Sequence, residues 1–262
     1  PMLIVLSPAK TLDYASPIVD VPPTRPEFAA DARRLVSVLR ELSPVEVARL
    51  MDLSDPLAAL NVARYASFRA APRAAQVRPA VLAFDGDVYD GLAARSLDAD
   101  ALAFAQRRLR ILSGLYGVLR PLDAMQPYRL EMGTRLATGR GRDLYAYWGE
   151  RPAKALRRAL RDAGGGTLVN LASEEYFRAV DLAALRAPVV QPVFQDRRAD
   201  GWKVISFNAK RARGAMARFA IERRIDDPEA LKDFDADGWR FEPGSSGATT
   251  WVFRRDAARV VH

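Results

Sequence analysis

The chain has 262 residues, 49% of them hydrophobic and 27% charged, a composition that suits a globular protein with a substantial core. It has no cysteine, and its one histidine is His262 at the very end. Disulfides, thiolate chemistry, zinc fingers, iron–sulfur clusters and a core histidine base are therefore excluded, and any metal would need oxygen ligands alone. Lys and Arg number 40 against 32 Asp and Glu, a formal net charge of +8 that favours an anionic partner.

In chain order, MLIVLS (2–7) reads as a buried strand, being apolar and β-branched. Helices are expected over 27–41, over 44–51 behind Ser43 and Pro44, and from Asp55 to about Phe68. RPAVLAFDGDVYDGL (78–92) reads as a short strand running into a Gly/Asp turn, 98–108 as a helix capped by Asp98, and RILSG (110–114) as a strand. Residues 143–163 look helical and stop at Gly164–Gly166, TLVNLAS (167–173) is a strand, and a helix follows from about Glu174. VVQPVFQD (189–196) and GWKVISFN (201–208) form a hairpin, RGAMARFAIERRI (213–225) a helix, and 238–255 a second hairpin. Interleaved strands and helices with no linker or repeat predict one α/β domain over 2–258, with a mixed α+β sheet and flanking helices. No apolar run approaches the roughly 20 residues of a membrane span. The opening PMLIVLSPAK lacks a basic stretch and a long apolar one, so a cytoplasmic chain without membrane attachment is expected. Neither a metal nor a cofactor is expected.

Chemistry-bearing residues gather where strands end, the usual ligand edge of an α/β sheet. In SPAKTLDY, Ser7 either caps a helix whose first residue is Pro8 or, with Lys10, serves a bound anion; a cation in a helix's first turn is unfavourable unless an anion sits there. In FDGDVYDGL, Asp87 and Tyr89 alternate with Val88 and could share one face toward a cleft, while the spacing excludes a calcium EF-hand. ILSGLYGVLRPLDAMQPYRLEMG (111–133) carries Ser113, Gly114, Tyr116, Arg120 and Arg129 among glycines that permit close approach and prolines that stiffen. It is read as a cleft wall, or else as a crossing loop whose arginines pair with Asp123 and Glu131. Asn170 and Ser173 end another strand, and FNAKRARGAMARF places Lys210, Arg213 and Arg218 along one helix start. Ser7, Lys10, Asp87, Tyr89 and Lys210 are the catalytic candidates.

SPAKTLDY, FDGDVYDGL, LSGLYGVLRPLDAMQPYRLEMG, LVNLASEEYF and ISFNAKRARGAMARF together resemble the signature segments of the bacterial YaaA family of peroxide stress resistance proteins, over nearly the whole chain. The resemblance implies protection against hydrogen peroxide by limiting free iron, a mixed α/β fold with a positively charged cleft, and DNA binding through a helix-hairpin-helix element. That element would fall at 42–68, with Arg49, Arg64 and Arg69 as phosphate contacts, although LSDPLAAL replaces the usual glycine-flanked turn. The leading expectation is a stress-response protein that binds DNA, lowering iron toxicity indirectly. The alternative is an enzyme acting on a phosphorylated or nucleotide-like small molecule in the same cleft.

Overall fold

The computed structural model describes residues 1–256, so the last two residues of the expected domain, and His262, lie outside the described residues. Eight strands form one sheet: β1 (Met2–Leu6), β2 (Leu109–Ser113), β3 (Gly117–Leu119), β4 (Thr167–Leu171), β5 (Val189–Arg198), β6 (Gly201–Lys203), β7 (Arg240–Phe241) and β8 (Thr250–Arg255). The order is β7-β8-β5-β4-β1-β2-β3, with β6 beside β5. The run β8-β5-β4-β1-β2 is parallel, and β3, β6 and β7 add antiparallel pairs. The expected α/β class with a mixed sheet is what the chain adopts.

β1 lies between β2 and β4, and all five of its side chains are buried, as a central strand covered on both faces requires. The flanking helices are α1 (Ala29–Leu39), α2 (Pro44–Met51), α3 (Asp55–Ser67), α4 (Asp87–Leu92), α5 (Ala99–Arg108), α6 (Arg151–Asp162) and α7 (Ser206–Glu222). Local chemistry sets several starts. Ser43 and Glu46 form a capping box on α2 behind Pro44, and Ser54 and Asp98 accept backbone N–H bonds at the heads of α3 and α5. All five methionines, Met2, Met51, Met125, Met132 and Met216, are buried.

Four expectations need correction. The stretch 143–163 is two helices, Leu144–Trp148 and α6, because Gly149 at φ +54° breaks the path. Residues 206–208 open α7 instead of closing a hairpin, and α7 ends at Glu222; its Ala209, Ala212, Met216, Ala217 and Ala220 make one buried face. Residues 87–92 are helical, with Asp87 and Asp90 at the favourable end of the dipole, so Asp87 and Tyr89 do not share an extended face. Ser7 heads no helix: Pro8–Lys10 are irregular, and Thr11–Leu12 pairs antiparallel with Phe84–Asp85.

α4 and α7 cross at backbone contact. A Cβ on Gly214 would lie 1.7 Å from the Val88 carbonyl oxygen, and one on Gly91 would lie 2.0 Å from that of Arg211. Gly214→Ala should therefore cost about 3 kcal/mol in chemical denaturation. Gly139→Ala, where a Cβ meets nothing within 4 Å, should stay within about 0.5 kcal/mol of the parent. Equal midpoints for the two variants would refute the crossing.

Candidate functional site

A cavity of about 420 Å³ opens beyond the carboxyl ends of β1 and β4. Its wall is built from Ser7–Thr11 after β1, Asp85–Val88 at the head of α4, Glu131, then Ser173, Glu175 and Tyr176 after β4, and Lys210 and Arg213 of α7. Lys10 and Lys210 thus face one space, brought there by the end of β1 and by the α4–α7 crossing.

The cavity carries charge of both signs. Lys10, Lys210 and Arg213 stand among Asp85, Asp87, Glu131 and Glu175, so the lining is of mixed sign where the resemblance implied a positively charged cleft. Lys10 Nζ meets Glu131 Oε1 at 2.9 Å and remains 66% exposed. Glu175 has its carboxyl pushed above the usual range, first by desolvation and then by the negative charge of Glu131. The Gly133 N–H and Lys10 oppose the shift. Burial alone pulls the Arg213 guanidinium down. Neither the Arg213 nor the Lys210 side chain forms a hydrogen bond or ion pair with any described residue.

Ser7 is occupied structurally. Its hydroxyl oxygen accepts the Ser173 N–H at 2.7 Å and its O–H donates to Ser173 Oγ at 3.2 Å; its carbonyl accepts the Tyr89 hydroxyl at 2.8 Å. Among the described residues no base touches it, so it is a clasp between β1, β4 and α4, and a poor nucleophile. Tyr89 is buried, and desolvation raises its phenol far above the ordinary value. Asn170 is also buried, its side-chain oxygen accepting the Ala172 N–H in the turn that delivers Ser173.

The stretch 111–133 proves to be packed interior more than wall. Ser113 Oγ and Tyr128 Oη are 2.6 Å apart, and Ser113 Oγ also accepts the Tyr116 N–H. Tyr116 and Tyr128 meet edge to face, with Tyr128 against Phe84. A Cβ on Gly114 would lie 2.1 Å from the Leu130 carbonyl oxygen, while the Gly114 carbonyl accepts the Trp148 indole N–H. Arg120 is fixed on Asp123 and on the Arg25 carbonyl, away from the cavity, so the pairing alternative holds for it. Arg129 approaches Glu131 at 3.7 Å but does not line the cavity. Arg218 donates to the carbonyls of Leu92 and Ala93, where it closes the end of α4, and pairs with Glu222. From the stretch, only Glu131 reaches the cavity.

A model of the family described as Peroxide stress protein YaaA matches residues 2–245. The chain belongs to that family. Among its relatives are a UPF0246 protein of Burkholderia mallei (strain SAVP1), 56% identical over 258 residues that cover 98% of this chain and 99% of the relative, and a UPF0246 protein of Aromatoleum aromaticum (strain DSM 19018 / LMG 30748 / EbN1), 56% identical over 260 residues covering 98% and 100%. The resemblance carried by the five sequence segments is thereby confirmed at the level of the YaaA family. In this member α2 and α3 are joined by Asp52–Ser54, with Asp52 left-handed at φ +51°. Arg49 and Arg69 stand exposed on and after these helices, and Arg64 donates to Asn61. None of the three lines the strand-end cavity. Among the described residues no helix is long and apolar enough to cross a membrane, and no three His, Cys, Asp or Glu side chains group as metal ligands.

Sequence reading missed Asp85, Glu175 and Tyr176 as cavity residues. Glu174 and Glu175 follow Ser173 as acids favoured at a helix start, which gave Glu175 a sufficient local reason and hid its position opposite Lys10.

The raised Glu175 carboxyl has a definite sign. Below the ordinary glutamic acid value of 4.5 both folded and unfolded chains hold the proton, and the group contributes nothing to stability. As pH rises above that value the unfolded chain ionises first, so stability falls through the folded pKa. Glu175→Gln should thus be the more stable protein at pH 7, with the difference vanishing below pH 4.5. Thermal melts across pH check this, and a variant less stable at pH 7 would contradict it.

Proposed function

We propose that this peroxide stress protein works through the strand-end cavity, which takes a small phosphorylated or nucleotide-like molecule. Arg213 carries the reading: a guanidinium drawn out of water on a cavity wall, without a carboxylate partner, beside an equally unpaired Lys210. A half-buried charge without a partner is unfavourable, and a ligand anion seated there would offset that cost while gaining charge-assisted hydrogen bonds. Across the cavity, Glu175 keeps its proton to higher pH than an ordinary glutamic acid, and Lys10 is held on Glu131. A carboxylic acid facing an anion-binding pair suits general acid catalysis on the group next to the phosphate. In this reading the effect on iron is indirect, since the cavity offers no cluster of metal ligands.

The second reading, DNA binding, is favoured by the net charge of +8 and by Arg49, exposed on α2, and Arg64, on α3. A mixed-sign cavity is ill suited to a phosphate backbone, so duplex contacts in this reading fall on that helix pair.

Two measurements separate the readings. Mass spectrometry of material released from the purified protein should show a discrete phosphorylated compound, lost in Arg213→Gln and Lys210→Gln. Arg213→Gln should melt at or slightly above the parent temperature, because a desolvated charge is removed. In duplex titrations, log K should fall by about 0.9 per neutralised phosphate for each unit of log salt. Binding abolished by Arg49→Gln with Arg64→Gln, with no compound retained by the parent, would replace the first reading by the second. Elemental analysis should find no chelator-resistant iron, and a stoichiometric amount would defeat the indirect role.

A further inference from the structure

A second cavity, of about 360 Å³, shares no lining residue with the first. It opens between the segment before α1, the start of α1, and the chain after α3. Its floor is apolar: Tyr116 and Phe68 lie with ring centroids 6.3 Å apart, both buried, beside Pro26 and Pro72. Gln126 stiffens the floor by clamping the backbone of Arg69 from both ends of its amide, accepting the N–H at 2.9 Å and donating to the carbonyl at 2.8 Å.

The charged lining is of one sign. Arg25, Arg33 and Arg69 line the cavity, and no carboxylate does. Among the described residues none of these three side chains forms a hydrogen bond, ion pair or ring contact. Some arginines elsewhere are matched, as Arg95 and Arg78 are on Asp13, Arg120 on Asp123 and Arg255 on Asp196, whereas Arg49, Arg135, Arg157 and Arg240 also lack a side-chain partner among the described residues. What sets Arg25, Arg33 and Arg69 apart is that all three line one cavity, around an aromatic floor and with no carboxylate on its walls.

We propose that this cavity binds a small organic anion with a flat aromatic body, of nucleotide size. Its ring would rest on the Tyr116–Phe68 floor, and its phosphate, sulfonate or carboxylate would be held by Arg25, Arg33 and Arg69. The volume lies in the range of small-molecule sites, and an apolar pocket with a few convergent polar groups is their usual composition. Guanidinium groups are matched in geometry to phosphate and carboxylate, and they stack on flat rings. The strand-end cavity, with carboxylates on its wall and no comparable aromatic floor, selects differently. The two sites can therefore be tested separately.

The probe is 8-anilinonaphthalene-1-sulfonate, with neutral N-phenyl-1-naphthylamine for comparison, each followed by its fluorescence on titration with the full chain. The anionic probe should bind one saturable site and be displaced by adenosine monophosphate but not by inorganic phosphate. Arg33→Gln combined with Arg69→Gln should weaken the anion at least tenfold and leave the neutral probe within twofold. Ala71→Trp, an exposed lining position, should exclude both probes without lowering the melting temperature. Lys210→Gln combined with Arg213→Gln should leave both unaffected, which keeps a failure here distinct from a failure of the strand-end reading. No saturable binding, parental affinity in the Arg33/Arg69 variant, or displacement by inorganic phosphate alone overturns the proposal. So does displacement by a short DNA duplex that depends on Arg33 and Arg69, which would make this face a nucleic-acid surface.

Discussion

The crossing of α4 on α7 is the contact on which the strand-end site depends. Two glycines, Gly91 and Gly214, let the helix backbones touch, and neither position has room for even a methyl group. That approach sets Asp87, at the head of α4, in the same space as Lys210 and Arg213 of α7. The Tyr89 hydroxyl then ties α4 to the carbonyl of Ser7, and the Ser7 hydroxyl ties β1 to β4. Four elements distant in sequence are thus locked to one another at the carboxyl edge of the sheet. The hydroxyls there serve as clasps, and the charges remain available.

The charge of the chain is unevenly deployed. Much of the arginine excess is structural, as at Asp31, where Arg34, Arg140 and Arg151 converge on one carboxylate while Arg140 and Arg151 stack on Tyr147. Asp196 is buried and binds Arg255 and Asn208, fixing β8 and the first turn of α7 to β5. A net charge of +8 consequently says little about any one cavity. One site holds both signs and the other holds cations only.

What could be read from the sequence was what local chemistry determines. Ser43, Pro44 and Glu46 specify the head of α2 within four residues, so that helix was readable to its ends. β1 was readable because a central parallel strand is apolar throughout. Ser7-Pro8 carries an equally good helix-start pattern, yet Thr11–Leu12 pairs with Phe84–Asp85 more than seventy residues away, and that pairing overrides it. The convergence of Ser7–Lys10, Ser173, Lys210 and Arg213 followed from the rule that ligands sit at strand ends, and the fold brings these residues together. The 111–133 stretch was misjudged in part because glycine, proline and tyrosine equally suit a binding loop and a tightly folded interior. Which one occurs is decided by Trp148 and Leu130 pressing on Gly114 and Gly117, contacts invisible to a reading of neighbours.

The burial of all five methionines, in a chain without cysteine, has a consequence for a protein of the peroxide stress family. Thiolates and exposed thioethers are the side chains that the oxidant attacks first, passing to sulfenic acid and to sulfoxide. Here there are no thiols, and the thioethers are shielded by packing. The folded chain is therefore a poor target for the insult and has no sulfur switch with which to register it. Peroxide thus leaves little sulfur chemistry in the folded chain for a reductase to reverse.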